Sequence, residues 1–132
     1  MQKESNLVER STGKKKNIAV FISGRGSNLK SLIKYSKYKY SPYKIKLVIS
    51  NKPNAKGLDH AKNNKIQHLI INYKNINISE KKILTKLNKF KIELICLAGF
   101  MKILSNSFIK NFKKPILNIH PSLLPKYKGL NT

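Results

Sequence analysis

The chain has no tryptophan, a single cysteine and only five acidic residues among its 132. With one thiol, Cys96, no internal disulfide can form, so the fold must be held by packing and hydrogen bonds. Cys96 lies in the apolar run Leu94-Ile95-Cys96-Leu97-Ala98 and reads as a small buried hydrophobe. The acids Glu4, Glu9, Asp59, Glu80 and Glu93 and the histidines His60, His68 and His120 are too scattered to show metal-ligand spacing. Ser27 stands in no Gly-x-Ser-x-Gly elbow and no acid follows His120, which argues against a serine-hydrolase triad. No apolar run approaches the roughly 20 residues of a membrane span. The first sixteen residues hold no apolar core of a secretory signal. A cytoplasmic protein without a membrane partner is the expectation.

What is abundant is lysine. Lys, Asn and Ile number 26, 15 and 17, and the formal net charge is +23. That skew is the one A/T-rich codons produce. A chain so basic attracts nucleic acid at low salt whatever its task. The lysines are spread along the whole length rather than clustered, and no specific nucleic-acid partner is expected. Tyr35-Ser36-Lys37-Tyr38-Lys39-Tyr40, the one interleaving of aromatic and basic residues, reads as the solvated end of a helix.

Residues 1–16 read as a disordered leader and 17–132 as one domain. Ile18–Ile22 is a continuous apolar run of strand length, expected to be buried on both faces. A turn at 23–28 leads to a helix with Leu29, Leu32 and Ile33 on one face, running to about Lys39. Further strands are expected at Ile45–Ile49, Gln67–Ile71, Ile92–Ala98 and Ile116–Ile119. Helices are expected near Lys56–Asn63, from Ser79 onward with Ile83, Leu84 and Leu87 inward, and from a Ser105 cap through Phe112. Asn72–Ile78 reads as a polar loop. This alternation predicts an α/β fold, a mostly parallel Rossmann-like sheet with flanking helices, whose ligands bind beyond the carboxyl ends of the strands.

Three motifs fall at such ends. Gly24-Arg25-Gly26-Ser27-Asn28 joins a buried strand to a helix start, where backbone amides and the helix dipole suit an anion. It lacks the Gly-Lys-Ser/Thr of a P-loop and the third glycine of a dinucleotide fingerprint, so a phosphate monoester fits better than a nucleotide. A tight turn needing glycine for positive φ is the competing reading. Gly99-Phe100-Met101-Lys102-Ile103-Leu104 is an apolar loop, able to line a slot for a flat heterocycle or simply to pack over the core. Asn118-Ile119-His120-Pro121-Ser122-Leu123-Leu124-Pro125 presents an amide and, two residues on, an imidazole on a proline-stiffened segment. Imidazole is the side chain best matched to proton transfer near neutral pH.

These stretches, with Ile49-Ser50-Asn51-Lys52 and Ser105, together resemble the glycinamide ribonucleotide formyltransferases, folate-dependent enzymes of purine biosynthesis; the matching segments keep the family's order across 17–132. The resemblance implies that Gly26, Ser27 and Asn28 hold the phosphate of 5'-phosphoribosylglycinamide. It implies that Met101, Lys102, Ile103 and Leu104, with Asn118, line the site of the co-substrate 10-formyltetrahydrofolate. Asn118 would bind the formyl oxygen and His120 would be the proton donor, with no metal. Where the family carries a folate-contacting arginine, Tyr73–Lys82 has none. A family aspartate that raises the histidine's pKa is expected beyond Thr132, with the C-terminal strands. By that resemblance the 132 residues are the N-terminal portion of such an enzyme, expected to be inactive alone. Formyltetrahydrofolate deformylase, methionyl-tRNA formyltransferase, an inactive remnant and a basic nucleic-acid binder are the alternatives; oligomeric state is left open. If the charge is only compositional, RNA affinity falls by orders of magnitude between about 50 and about 200 mM salt. Filter binding across that range checks this, and affinity persisting at the upper end would favour the nucleic-acid binder.

Overall fold

A computed structural model describes residues 14–119 of the chain. Residues 1–13, His120 and the segment to Thr132 lie outside the described residues. The order of elements is β1 (Lys16–Ile22), α1 (Ser27–Ser36), β2 (Tyr43–Ser50), α2 (Gly57–Asn63), β3 (Gln67–Ile70), α3 (Ile76–Lys89), β4 (Leu94–Leu97), α4 (Asn106–Phe112) and β5 (Ile116–Asn118). The five strands form one parallel sheet in the order β3-β2-β1-β4-β5. This is the Rossmann-like arrangement that the alternating pattern predicts.

Each face of the sheet has its own core. Ile18, Val20 and Ile22 pack with Leu29, Leu32 and Ile33 of α1 and Leu58 and Ala61 of α2. Ala19 and Phe21 point the other way, onto Ile83 and Leu87 of α3 and Phe108 and Phe112 of α4. Side chains alternate along a strand, so an unbroken apolar run is what a strand covered on both faces requires. β2 departs from simple alternation: the β1–β2 register slips between Ile18 and Ala19, which pair with Ile45 and Leu47. Lys46 is the extra residue. The slip puts Ile45 and Val48 in one core and Leu47 and Ile49 in the other.

Two helix boundaries differ from the sequence reading. α1 ends at Ser36, not near Lys39, and residues 37–40 form a turn in which Tyr38 and Tyr40 are exposed. α3 begins at Ile76 rather than Ser79, because Asn75 accepts a hydrogen bond from the Ile78 amide and so caps the helix one turn earlier. The Ser79 hydroxyl, inside the helix, instead donates to the Asn72 carbonyl at 2.7 Å. The Ser105 cap of α4 is as expected, accepting from the Phe108 amide at 3.0 Å. Among the described residues no helix is long and apolar enough to cross a membrane.

Three helix exits use a lysine in the left-handed region: Lys65, Lys91 and Lys113, with φ of 56°, 55° and 63°. Glycine is the usual residue there, and a Cβ costs energy. Lys113→Gly is therefore expected to stabilise the domain by about 0.5–1 kcal/mol, net of the larger entropy of an unfolded glycine; urea unfolding checks it, and a loss of stability would refute it. Burial raises the Cys96 thiol to about 11 and the Tyr43 and Tyr73 hydroxyls to about 12, from ordinary values of 9.0 and 10.0. The folded chain thus holds these protons more tightly than the unfolded one. Their contribution to stability is complete below about pH 9 and is lost as pH rises towards 11–12. Alkylation of Cys96 by iodoacetamide at pH 8 should be slow in the native chain and fast in urea; equal rates would contradict the burial.

Candidate functional site

The sheet reverses its winding at β1: the chain moves outward through β2 to β3, then crosses back to β4 and β5. The loops leaving β1 and β4 therefore diverge and leave a crevice at their carboxyl ends, the usual ligand position in such sheets. A cleft of about 230 Å3 lies there, lined by Gly24, Arg25, Gly26, Ser27, Asn28, Ala98 and Gly99. The expected anion loop and the start of the expected heterocycle loop thus meet across one opening.

Gly26 carries the geometry of the first loop. It adopts φ 77°, ψ 28° at the N-cap of α1 and supplies no side-chain cap. A Cβ on it would fall 2.5 Å from the Cα of Gly57 and 3.4 Å from the His60 ring. The two readings of this glycine, left-handed turn and close approach to an anion, are compatible, and the turn is definite. Gly57, at the start of α2, meets the loop from behind: its amide donates to the Gly24 carbonyl at 2.9 Å. α3 and α4 have side-chain caps, whereas the amino end of α1 has none and faces the cleft. Uncapped amides at a helix start are donors available to an anion. Ser27 is exposed and Asn28 half-buried, so both side chains can reach the opening.

The second loop is held at both ends. The Met101 amide donates to Ser23 Oγ at 2.8 Å, and that hydroxyl donates in turn to the carboxamide oxygen of Asn51, just past β2. At the far end, the Glu80 carboxylate accepts from the Ser105 amide at 2.9 Å and the Ser105 hydroxyl at 2.5 Å. Between these ties Met101 and Ile103 stand 74% and 86% exposed, so packing does not fix them. Phe100 lies edge-on to Phe21 at 5.2 Å and to Tyr73 at 5.9 Å, and Lys102 Nζ sits 5.9 Å from the Tyr73 ring centre. Leu104 packs partly into the α3–α4 core.

Asn118 is the last residue of β5, paired in register with Leu97 of β4, and is exposed at the same end of the sheet. Gly26, Ser27, Asn28, Met101, Lys102, Ile103, Leu104 and Asn118 are thus all placed at the carboxyl ends of β1, β4 and β5; His120 lies outside the described residues. Sequence reading missed Gly57 and the tie made by Glu80. Gly57 carries no local signal, since its role exists only opposite Gly26. Glu80, read as an acid beside a helix start, is one of only two buried or partly buried carboxylates hydrogen-bonded to another element among the described residues, Glu93 being the other. Gly26→Ala or Gly57→Ala is expected to destabilise the domain by about 1–3 kcal/mol, the cost of a Cβ in strained or overpacked backbone. Thermal unfolding checks this, and unchanged midpoints would count against the close approach.

Residues 16–132 match the model of the formyl transferase family. The chain is 47% identical over 120 residues to phosphoribosylglycinamide formyltransferase of Haemophilus influenzae, covering 89% of this chain and 57% of that protein. It is 46% identical over 121 residues to the human trifunctional purine biosynthetic protein adenosine-3, of which it covers 12%. The crystal structure of phosphoribosylglycinamide formyltransferase from Brucella melitensis superposes with a TM-score of 0.77 at 39% identity, covering 89% of this chain and 62% of that one. The chain thus spans little more than half the length of the single-function relative and a small part of the trifunctional one. By its sequence, its fold and the order of its motifs, this chain belongs to the formyl transferase family.

Proposed function

We infer that the chain supplies the phosphate-binding loop and the donor-side wall of an enzyme transferring a formyl group from 10-formyltetrahydrofolate to 5'-phosphoribosylglycinamide. The observation that carries this reading is the uncapped amino end of α1, which faces one cleft with the start of the 99–104 loop. The name of the Haemophilus influenzae relative, phosphoribosylglycinamide formyltransferase, supports the same formyl acceptor. A soluble, cytoplasmic setting goes with this reading.

In this mechanism the amides of Gly26, Ser27 and Asn28, with the two side chains, hold the substrate phosphate at the positive end of the α1 dipole. Met101, Lys102, Ile103 and Leu104 line the donor. The glycinamide amine attacks the formyl carbon, forming the new N–C bond and placing negative charge on the formyl oxygen. Asn118, at the end of β5, donates a hydrogen bond to that oxygen. A preorganised donor of this kind typically contributes about 3–4 kcal/mol. As the bond to the folate nitrogen breaks, the proton lost by the amine is balanced by one delivered to that nitrogen, a task assigned to His120. The products are formylglycinamide ribonucleotide and tetrahydrofolate.

Asn118→Ala should lower kcat about 100- to 1,000-fold while leaving affinity for 5'-phosphoribosylglycinamide within about twofold, as loss of an oxyanion donor does. Product formation and titration calorimetry read the two quantities. If the 132-residue chain does not turn over, calorimetry still tests whether it binds each substrate. Formyl release to water in preference to glycinamide ribonucleotide would favour the deformylase reading. Failure to bind either substrate would sink the proposal.

A further inference from the structure

The 99–104 loop is tied by hydrogen bonds at both ends. Met101 and Ile103 are exposed side chains on a segment without regular structure. Packing therefore leaves Met101 and Ile103 open, while Phe100 and Leu104 pack against the core and hydrogen bonds fix the loop at both ends. At the start, the Ser23 hydroxyl accepts from the Met101 amide and donates to the Asn51 carboxamide oxygen, linking the ends of β1, β2 and β4. At the finish, the Glu80 carboxylate takes both the amide and the hydroxyl of Ser105. Glu80 is only 5% exposed and comes from α3, which covers the opposite face of the sheet from α1. Ser105 Oγ also accepts from the Phe108 amide, so Glu80, Ser105 and α4 form one continuous chain of hydrogen bonds. A charge removed from water is retained at a cost unless its partners compensate it, and here those partners are the loop's own terminus.

We propose that Glu80 and Ser23 are positioning residues for the formyl donor: they fix the two ends of the 99–104 loop so that Met101–Leu104 present one preformed wall. Neither side chain touches the donor; each acts through the loop backbone. The proposal rests on the reading of this loop as the donor side of a formyltransferase, and goes beyond it in assigning the residues that shape that side. The Glu80 tie stands apart from Gly24–Asn28, whereas Ser23 immediately precedes that turn and acts on the loop through its side chain.

The test is calorimetric titration of the whole 132-residue chain with 10-formyltetrahydrofolate and, separately, with 5'-phosphoribosylglycinamide. Glu80→Ala should weaken donor binding about tenfold, equivalent to about 1.4 kcal/mol, and leave glycinamide ribonucleotide binding within about twofold. Glu80→Gln should recover most of the loss, since its carbonyl can accept from the Ser105 amide and its NH2 can donate to Ser105 Oγ. Ser23→Ala, a change small enough to preserve packing, tests the other end independently and should show the same donor-selective loss, which covers the case of a Glu80→Ala chain that does not fold. Amide exchange should rise at Ser105 in the Glu80 variant and at Met101 in the Ser23 variant. Parallel loss of both affinities, or no rescue by glutamine, would show Glu80 to be merely structural and overturn the proposal. Donor binding that is unchanged in both Glu80→Ala and Ser23→Ala would overturn it while leaving the formyltransferase reading intact. A wild-type chain that binds neither substrate would overturn both.

Discussion

Every loop of the site hangs from β1. Its Ile18–Ile22 run is essentially inaccessible to water and is clasped by helices on both faces. It is also the strand at which the sheet changes winding direction, with β2 on one side and β4 on the other. A strand confined on both faces and along both edges has no freedom to slide, because a one-residue slip would exchange the contents of two dissimilar cores. α1 and α2 lie over one of those cores, and α3 and α4 over the other. The crevice between the β1 and β4 loops follows from that fixed strand, and with it the meeting of Gly24–Asn28 with Ala98 and Gly99.

Above this rigid base the site is organised by backbone contacts and hydrogen bonds more than by packing. Gly26 and Gly57 approach so closely that neither admits a side chain, which seats the 24–28 turn against the start of α2. The 99–104 loop is anchored through Ser23, Asn51 and Glu80 while its central side chains face outward. This division suits a binding surface. Apolar side chains left uncovered by the protein are available to a ligand, and anchored ends reduce the ordering that binding must impose.

The large positive charge has a local order that composition does not reveal. Among the described residues, lysine or histidine occupies the last turn of each of the four helices, and only α2 carries an acid in its first turn. Cations at helix carboxyl ends complement the dipole, and an amino end without nearby acid keeps its attraction for an external anion. At α1, where the cap is a glycine, that attraction is directed at the cleft. Some lysines away from the helix ends also have defined partners: Lys15 donates to the Ser36 and Tyr38 carbonyls, and Lys37 to the Asn64 side chain.

The amino-acid order dictated the three-layered parallel architecture, because an unbroken apolar run such as Ile18–Ile22 suits a strand buried on both sides, and helix faces such as Leu29, Leu32 and Ile33 cover it. It also located the site motifs at strand ends, since Gly24–Asn28, Gly99–Leu104 and Asn118 each follow an apolar run directly. The start of α3 was obscured because Asn75 and Ser79 are both plausible caps, and only the competing bond from Ser79 to Asn72 decides between them. Tertiary structure alone decided the sheet order, the register slip at Lys46, the Gly26–Gly57 approach and the role of Glu80. Each of these is a relation between residues distant along the chain. Local propensity and periodicity describe what a segment prefers and which face it buries, but they carry no information about which distant backbone it meets there.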